Sequence, residues 1–221
     1  MSHPVEAGSV QPLEDDMTGE KAGAERQERR LLLDACGVML GEPTGPLFAA
    51  VAASAGKSPD AVAKVFRDRF RNDLWSGRSA ESTFWTDFAR ACGLDRPSDS
   101  WRGVIDASMH PMPVLRRLQR WSQSARLILI SNHRHEWLVP RLEALGVTHH
   151  FAELRISSAT GFVKPAPAAY ADALGGRAPM DTLYVDDKAA NVAAARGLDI
   201  RSVLADADGL WMTEVETWLG C

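Results

Sequence analysis

The chain is short of cysteine, of long apolar runs and of charge in excess of either sign, and each shortage removes a class of protein. Of 221 residues only three are cysteine (Cys36, Cys92 and Cys221), odd in number and widely spaced. That is neither a disulfide framework nor a zinc pattern. The longest stretch without charge, ending at Gly56, falls far short of the roughly 20 apolar residues that span a bilayer. The N-terminus is hydrophilic with no apolar core, so no secretory signal is expected. A soluble, cytoplasmic protein without a membrane partner is the expectation. Twenty-five basic residues against 29 acidic ones leave a net charge of −4. Residues 1–30 hold seven acids and four bases, so the remaining chain is close to neutral. A near-neutral body argues against a nucleic-acid partner, which calls for a basic excess on one face.

Residues 1–29 combine proline, glycine, serine and charge with few large apolar groups. Such a segment cannot bury enough surface to offset its ordering entropy, and a disordered tail is expected there. Leu31-Leu32-Leu33, ending in Asp34, reads as a strand buried on both faces. Similar apolar runs over residues 126–130, 182–185 and 200–204 end in Ser131-Asn132, Asp186-Asp187 and Ala205-Asp206. Between them lie helical patterns over 114–122, 136–145, 167–174 and 189–196, the last closed by Gly197. Strands alternating with helices predict a parallel sheet with right-handed crossovers, an α/β fold with ligands at the carboxyl ends of the strands. Residues 43–109 break the alternation. They hold helix candidates over 47–55, 59–70, 81–91 and 101–108, with Ser58 before Pro59 as an N-cap and first-turn proline. The expected organisation is a tail (1–29), a core (30–42 and 110–221) and a helical cap (43–109).

Four polar motifs occur in order: Asp34-Ala35-Cys36-Gly37-Val38, Ser131-Asn132, Gly161-Phe162-Val163-Lys164-Pro165, and Val185-Asp186-Asp187-Lys188 continuing to Asn191. A parallel sheet would bring Asp34, Asp186 and Asp187 to one edge, where three carboxylates repel one another unless they share a cation. Hard oxygen ligands of this kind suit Mg²⁺. Lys164 and the Ser131 hydroxyl could bind phosphate oxygens, and one carboxylate could attack phosphorus to form an aspartyl-phosphate.

In these motifs and their strand context the chain resembles the haloacid dehalogenase-like hydrolase superfamily, with 43–109 resembling its alpha-helical cap type. The resemblance covers roughly residues 30–205. It implies a Rossmann-like three-layer core and a Mg²⁺-dependent phosphatase acting on a small organic phosphate, a sugar phosphate among the options. Asp34 would be the nucleophile, with Ser131 and Lys164 binding the phosphoryl group. Asp34, Asp186 and the backbone carbonyl of Cys36 would hold the metal with Asp187 assisting, Asn132 would bind substrate beside Ser131 and Lys164, and Asn191 would support the site. Arg78 or Arg71 of the cap could grip an anionic substrate, and Arg78 is taken as the substrate-binding candidate.

One departure matters. Phosphatases of this family usually carry a second Asp, a general acid and base, two residues after the nucleophile; here that residue is Cys36. A thiol, with a reference pKa of about 8.5 and raised further beside carboxylates, is a poor base near neutrality. Two alternatives follow: a catalytically impaired binding protein, and a metal-independent 2-haloacid dehalogenase, whose leaving halide needs no proton. The acid pair Asp186-Asp187 weighs against the dehalogenase. His133 and His135 read either as a solvated helix start or as a substitute proton carrier. Trp75, Phe84, Trp85 and Trp101 read chiefly as cap core.

Overall fold

The computed structural model describes Met1 and residues 28–221. The expected tail therefore lies almost wholly outside the described residues. From β1 (Arg30–Leu33) the chain enters a run of five helices: α1 (Thr44–Ala55), α2 (Pro59–Arg69), α3 (Arg71–Trp75), α4 (Glu81–Ala91) and α5 (Ser100–Ser108). The rest alternates: α6 (Leu118–Ser122), β2 (Arg126–Ser131), α7 (His135–Ala144), β3 (Phe151–Ile156), α8 (Ser157–Thr160), α9 (Pro167–Leu174), β4 (Thr182–Asp186), α10 (Ala189–Arg196), β5 (Arg201–Leu204) and α11 (Trp211–Leu219).

All strand pairs are parallel, in the order β3-β2-β1-β4-β5, so β1 lies at the centre. Side chains alternate across the pleat, and each face finds its own cover. Leu32, Ile128, Ile130 and Tyr184 pack with Tyr170, Ala173 and Leu174 of α9 and Ala195 of α10. Leu31, Leu33, Leu129 and Val185 pack on the other side with Trp121 of α6, Leu138 of α7 and Val215 of α11. This is the expected three-layer α/β core. Registers Leu33↔Leu129 and Leu33↔Val185 align the carboxyl ends of the three central strands. Asp34, Ser131 and Asp186 are thereby brought to one edge.

The inserted helices form as their sequence predicts. The Ser58 hydroxyl accepts from the Ala61 amide (3.3 Å) and Pro59 opens α2. Phe66, Phe84, Phe88 and Trp101 are buried among them. Expected helix 114–122 divides into a 3₁₀ turn (Pro113–Arg117) and α6, beginning at Pro113. Four elements, α3, β3, α8 and α11, are not anticipated by the pattern. In β3 Ala152 is exposed and Glu153 to Arg155 are only partly buried, as suits an edge strand with polar flanks, and no unbroken apolar run marks it.

The helical segment is fastened to the core at the turn between α3 and α4. Arg134, directly after the second motif, is buried and donates from Nη1 to the carbonyls of Leu74 (3.3 Å) and Ser79 (2.7 Å). Glu81 of α4 accepts from the Trp137 indole of α7 (2.5 Å) and the Trp85 indole (3.0 Å). Between these contacts Gly77 has φ +76°, and a Cβ there would lie 2.1 Å from the Ser158 carbonyl oxygen. Both its conformation and its close approach require glycine. Gly77→Ala is predicted to destabilise the protein by about 1–3 kcal/mol. Urea unfolding checks this, and an unchanged midpoint would show that the turn yields without cost.

Candidate active site

The site is built around a buried ammonium. Lys164, in the loop before α9, is 2 % exposed. Its Nζ lies 2.7 Å from Asp186 Oδ2 and 3.0 Å from Asp34 Oδ1, and donates to the Ile130 carbonyl (2.8 Å). Its backbone is held by Asn132, whose Oδ1 accepts from the Lys164 amide (2.8 Å) and whose Nδ2 donates to the Lys164 carbonyl (2.7 Å). Sequence reasoning expects Asn132 to bind substrate. In the structure it lines the cavity, but both ends of its amide are engaged in positioning Lys164.

Ligand oxygens of Asp34, Asp186 and Asp187 lie within 4.8 Å of one another. The three are not equivalent. Asp186 is fully buried and accepts from Lys164 Nζ, the Tyr184 hydroxyl, the Lys188 amide (2.8 Å) and Asn191 Nδ2 (3.0 and 2.9 Å to its two oxygens). Four donors use the lone-pair sites a carboxylate offers. Despite burial, the charge of Lys164 and these hydrogen bonds hold its pKa below the ordinary value. Asp187 is the reverse case. Its Oδ1 is buried with no hydrogen-bond partner among the described residues, and Lys188 Nζ stands 3.9 Å from it. Burial raises its pKa, Lys188 opposes the rise, and Asp186 and Glu42 add to it. An open, buried carboxylate oxygen beside two other acids suits a divalent cation. The sequence assigns Asp186 as the principal ligand with Asp187 assisting. The hydrogen bonds distinguish the two: Asp187 has the oxygen without a hydrogen bond, while Asp186 accepts from Lys164 and Asn191.

Asp34 Oδ1 accepts from the Ala35 amide (2.7 Å), while no protein donor among the described residues reaches Oδ2. Burial, against Lys164 and with Asp186, pushes its pKa up to about 6. Gly37 sits at φ +91°, and a Cβ there would lie 2.3 Å from Asp187 Oδ2, so the turn after β1 packs directly against the acid pair. The Cys36 carbonyl accepts no backbone hydrogen bond among the described residues and is available as a further ligand. Its thiol is raised well above the usual value by burial, then by Glu42 and Asp34. The protonated thiol is thus neither nucleophile nor base at neutral pH.

These groups open into a cavity of about 310 Å³ lined by Asp34, Ser131, Lys164, Asp187, Phe48 and Trp75, among others. A larger hollow at the opposite, amino end of the sheet, near Arg126 and His150, holds none of these groups. Lys188 and Glu42 also line the site and form an ion pair (3.3 Å) that the motifs do not announce. Lys188 directly follows the acid pair in sequence, and that adjacency is the one signal that could have drawn it in. Arg78 does not line the cavity: it pairs with Asp73 at 2.7 Å on the exposed surface, and Arg71 takes the place expected of it. His135 begins α7, its amide donating to Ser158 Oγ (2.8 Å). His133 is buried against Trp75 (ring centroids 5.6 Å apart), and burial pushes its pKa down to about 4. Its Nδ1 lies 3.2 Å from the Arg134 carbonyl, which places the ring proton there and leaves Nε2 as an acceptor. A histidine so neutral is a poor proton carrier, so the substitute role does not fit it.

Three clustered carboxylates and a buried lysine thus lie together at the carboxyl edge of a Rossmann-like sheet, where α/β folds place their ligands. The family model for haloacid dehalogenase-like hydrolases matches residues 42–199. The chain belongs to that family. No match is found among curated proteins. Among solved structures, a predicted HAD-like family hydrolase from Porphyromonas gingivalis is similar, at 22 % identity over 87 % of this chain and 98 % of that one, TM-score 0.69. A HAD family enzyme from Bacteroides thetaiotaomicron, in complex with magnesium and inorganic phosphate, is 17 % identical over 81 % and 95 % of the two chains, TM-score 0.68. A dehalogenase is 20 % identical over 83 % and 87 %, TM-score 0.58. At these identities the likeness extends to the fold.

Two predictions follow from the electrostatics. Mg²⁺ at millimolar concentration should raise the melting temperature by binding the folded state, and Asp187→Asn should abolish the rise. A rise that survives the substitution would contradict the assignment of Asp187. His133, with a folded pKa of about 4 against about 6.5 unfolded, binds its proton less readily when folded. Its contribution is fully present above pH ~6.5 and is lost as pH falls toward ~4. The stability difference between the native protein and His133→Phe should therefore shrink over that range. A constant difference, measured by denaturant titration at each pH, would contradict the burial argument.

Proposed function

We propose that this protein is a Mg²⁺-dependent phosphatase of a small organic phosphate, working through an aspartyl-phosphate on Asp34. The observation that carries this reading is the buried Lys164 ammonium held between Asp34 and Asp186, with Asp187 Oδ1 left open beside them. Asp34, Asp187 and the Cys36 carbonyl would hold the metal, which when bound supplies positive charge against the phosphoryl oxygens.

The protein's own groups account for the rest. With a pKa of about 6, Asp34 is mostly ionised at neutral pH. Its open oxygen attacks phosphorus, the P–O bond to the alcohol breaks, and the alcohol leaves with a proton drawn from solvent. The Ser131 hydroxyl binds a phosphoryl oxygen, and Lys164, whose three N–H groups meet Asp34, Asp186 and Ile130 in the free protein, turns from Asp34 Oδ1 to a phosphoryl oxygen as that carboxylate reacts. Water then attacks phosphorus, releases inorganic phosphate and restores the Asp34 carboxylate. Asp186 acts by fixing Lys164 and Asn191. The segment 43–109 serves as a cap that excludes bulk water, since Phe48, Phe66 and Trp75 wall the cavity. Cys36, a protonated thiol in place of an acid, leaves the departing alcohol without a built-in proton donor. Esters with good leaving groups are favoured accordingly. The same feature supports dehalogenation as the second reading, because halide leaves unprotonated.

Phosphate release from a broad ester panel should require Mg²⁺ and fall by on the order of 10³-fold or more in Asp34→Asn. Halide release from 2-haloacids that persists in chelator would favour the second reading instead. Cys36→Asp should raise turnover of esters with poor leaving groups, by up to about 10²-fold if the missing acid limits the rate. No rise would show that another group already carries the proton.

A further inference from the structure

The cavity has a second set of charges that the phosphoryl chemistry leaves unused. Its core-side lining holds Asp34, Ser131 and Lys164; its helical-segment lining adds Arg67 near the end of α2 and Arg71 at the start of α3. Neither arginine forms an ion pair or lies over an aromatic ring among the described residues, whereas nearby Arg78 pairs with Asp73 and Lys188 with Glu42. Both are exposed to solvent on one cavity wall, so neither guanidinium is committed and both can meet an anion that enters. Glu42, the remaining carboxylate of the wall, is already neutralised by Lys188 and bonded by the Thr44 amide and hydroxyl (3.2 and 2.9 Å), so it does not supply that anion.

A second, independent observation marks the cavity as built for a ligand. His133 Nε2, on the same lining, is buried with no hydrogen-bond partner among the described residues. As the acceptor nitrogen of a neutral ring it calls for a hydroxyl or water donor.

We propose that the substrate is a hydroxylated phosphate monoester bearing a second anionic group, which Arg67 and Arg71 bind while the first phosphoryl group lies against Asp34 and Lys164. This rests on the phosphatase reading and narrows it. The shared chemistry is the second anion, a carboxylate or another phosphoryl group. A cavity of about 310 Å³ limits the organic part to a small molecule.

Titration calorimetry on Asp34→Asn protein with Mg²⁺ compares matched pairs. These are 3-phosphoglycerate with glycerol 3-phosphate, 6-phosphogluconate with glucose 6-phosphate, and fructose 1,6-bisphosphate with fructose 6-phosphate. The doubly anionic member of at least one pair should bind about 10-fold or more tightly. Preference in the first two pairs identifies a carboxylate, and preference in the third a phosphoryl group. Adding Arg67→Gln and Arg71→Gln should bring the ratio toward one, while Arg90→Gln, on the exposed face of α4, should leave it unchanged. Equal binding within every pair, no binding of any ester, or a preference that survives the double substitution would overturn the proposal. Turnover by the native protein separates the two claims. Preference without hydrolysis would defeat the phosphatase reading alone, and hydrolysis without preference would defeat the second-anion site alone.

Discussion

A buried lysine ammonium between two buried carboxylates is costly to assemble and more costly to disturb. Each ion loses several kcal/mol of hydration on burial, and removing one partner leaves the others uncompensated. Lys164 repays that cost only because its environment is complete: Asp34 and Asp186 at 3.0 and 2.7 Å, the Ile130 carbonyl at 2.8 Å, and Asn132 holding its backbone. The sheet order brings these groups together. With β1 between β2 and β4, the first, second and fourth motifs all end at one edge, and the third enters through the loop before α9. Even so, Lys164 and Lys188, the latter shared between Glu42 at 3.3 Å and Asp187 Oδ1 at 3.9 Å, do not balance the four acids of the site. The raised pKa values of Asp34 and Asp187 and the Asp187 oxygen without a hydrogen bond are expressions of the same deficit.

The helical segment answers a different constraint, the exclusion of water. Its core of Phe66, Phe84 and Phe88 is continuous with the core of the sheet through Trp75, Trp85 and Trp137. Trp75 serves both, buried in that cluster while its ring stacks on His133 and lines the cavity. Arg134 links the second motif to the turn at Leu74 to Ser79, so the Ser131-Asn132 loop and the cavity wall share one hydrogen-bonded connection. Movement of the helical segment must break these contacts, including the close passage of Gly77 past Ser158.

Much of this is readable in the residues because the signals are local. Apolar runs ending in Asp34, Ser131 and Asp186 mark three central strands, and Ser58-Pro59 marks a helix start. What escaped depends on distance. The edge strand β3 has a half-polar face and no unbroken apolar run. The different duties of Asp186 and Asp187 follow from Tyr184, Asn191 and Lys164 converging on one of them, which adjacency in sequence does not reveal. Arg71 rather than Arg78 faces the cavity because Asp73 captures Arg78, a contact between side chains five residues apart across a turn. His133 reads in sequence as a solvated residue or a proton carrier, and only the packing of Trp75 and Trp137 shows it buried and neutral.

The central claim, that the open oxygen of Asp34 takes up the phosphoryl group, is tested most directly by borohydride quench. The protein would be trapped during steady turnover of a phosphate ester and the peptide containing residue 34 read by mass spectrometry. Reduction of an acyl-phosphate converts the aspartate to homoserine, and the account predicts that change at residue 34 and at no other acid. Phosphate release with residue 34 unmodified, or with the reduced residue at Asp186 or Asp187, would contradict it.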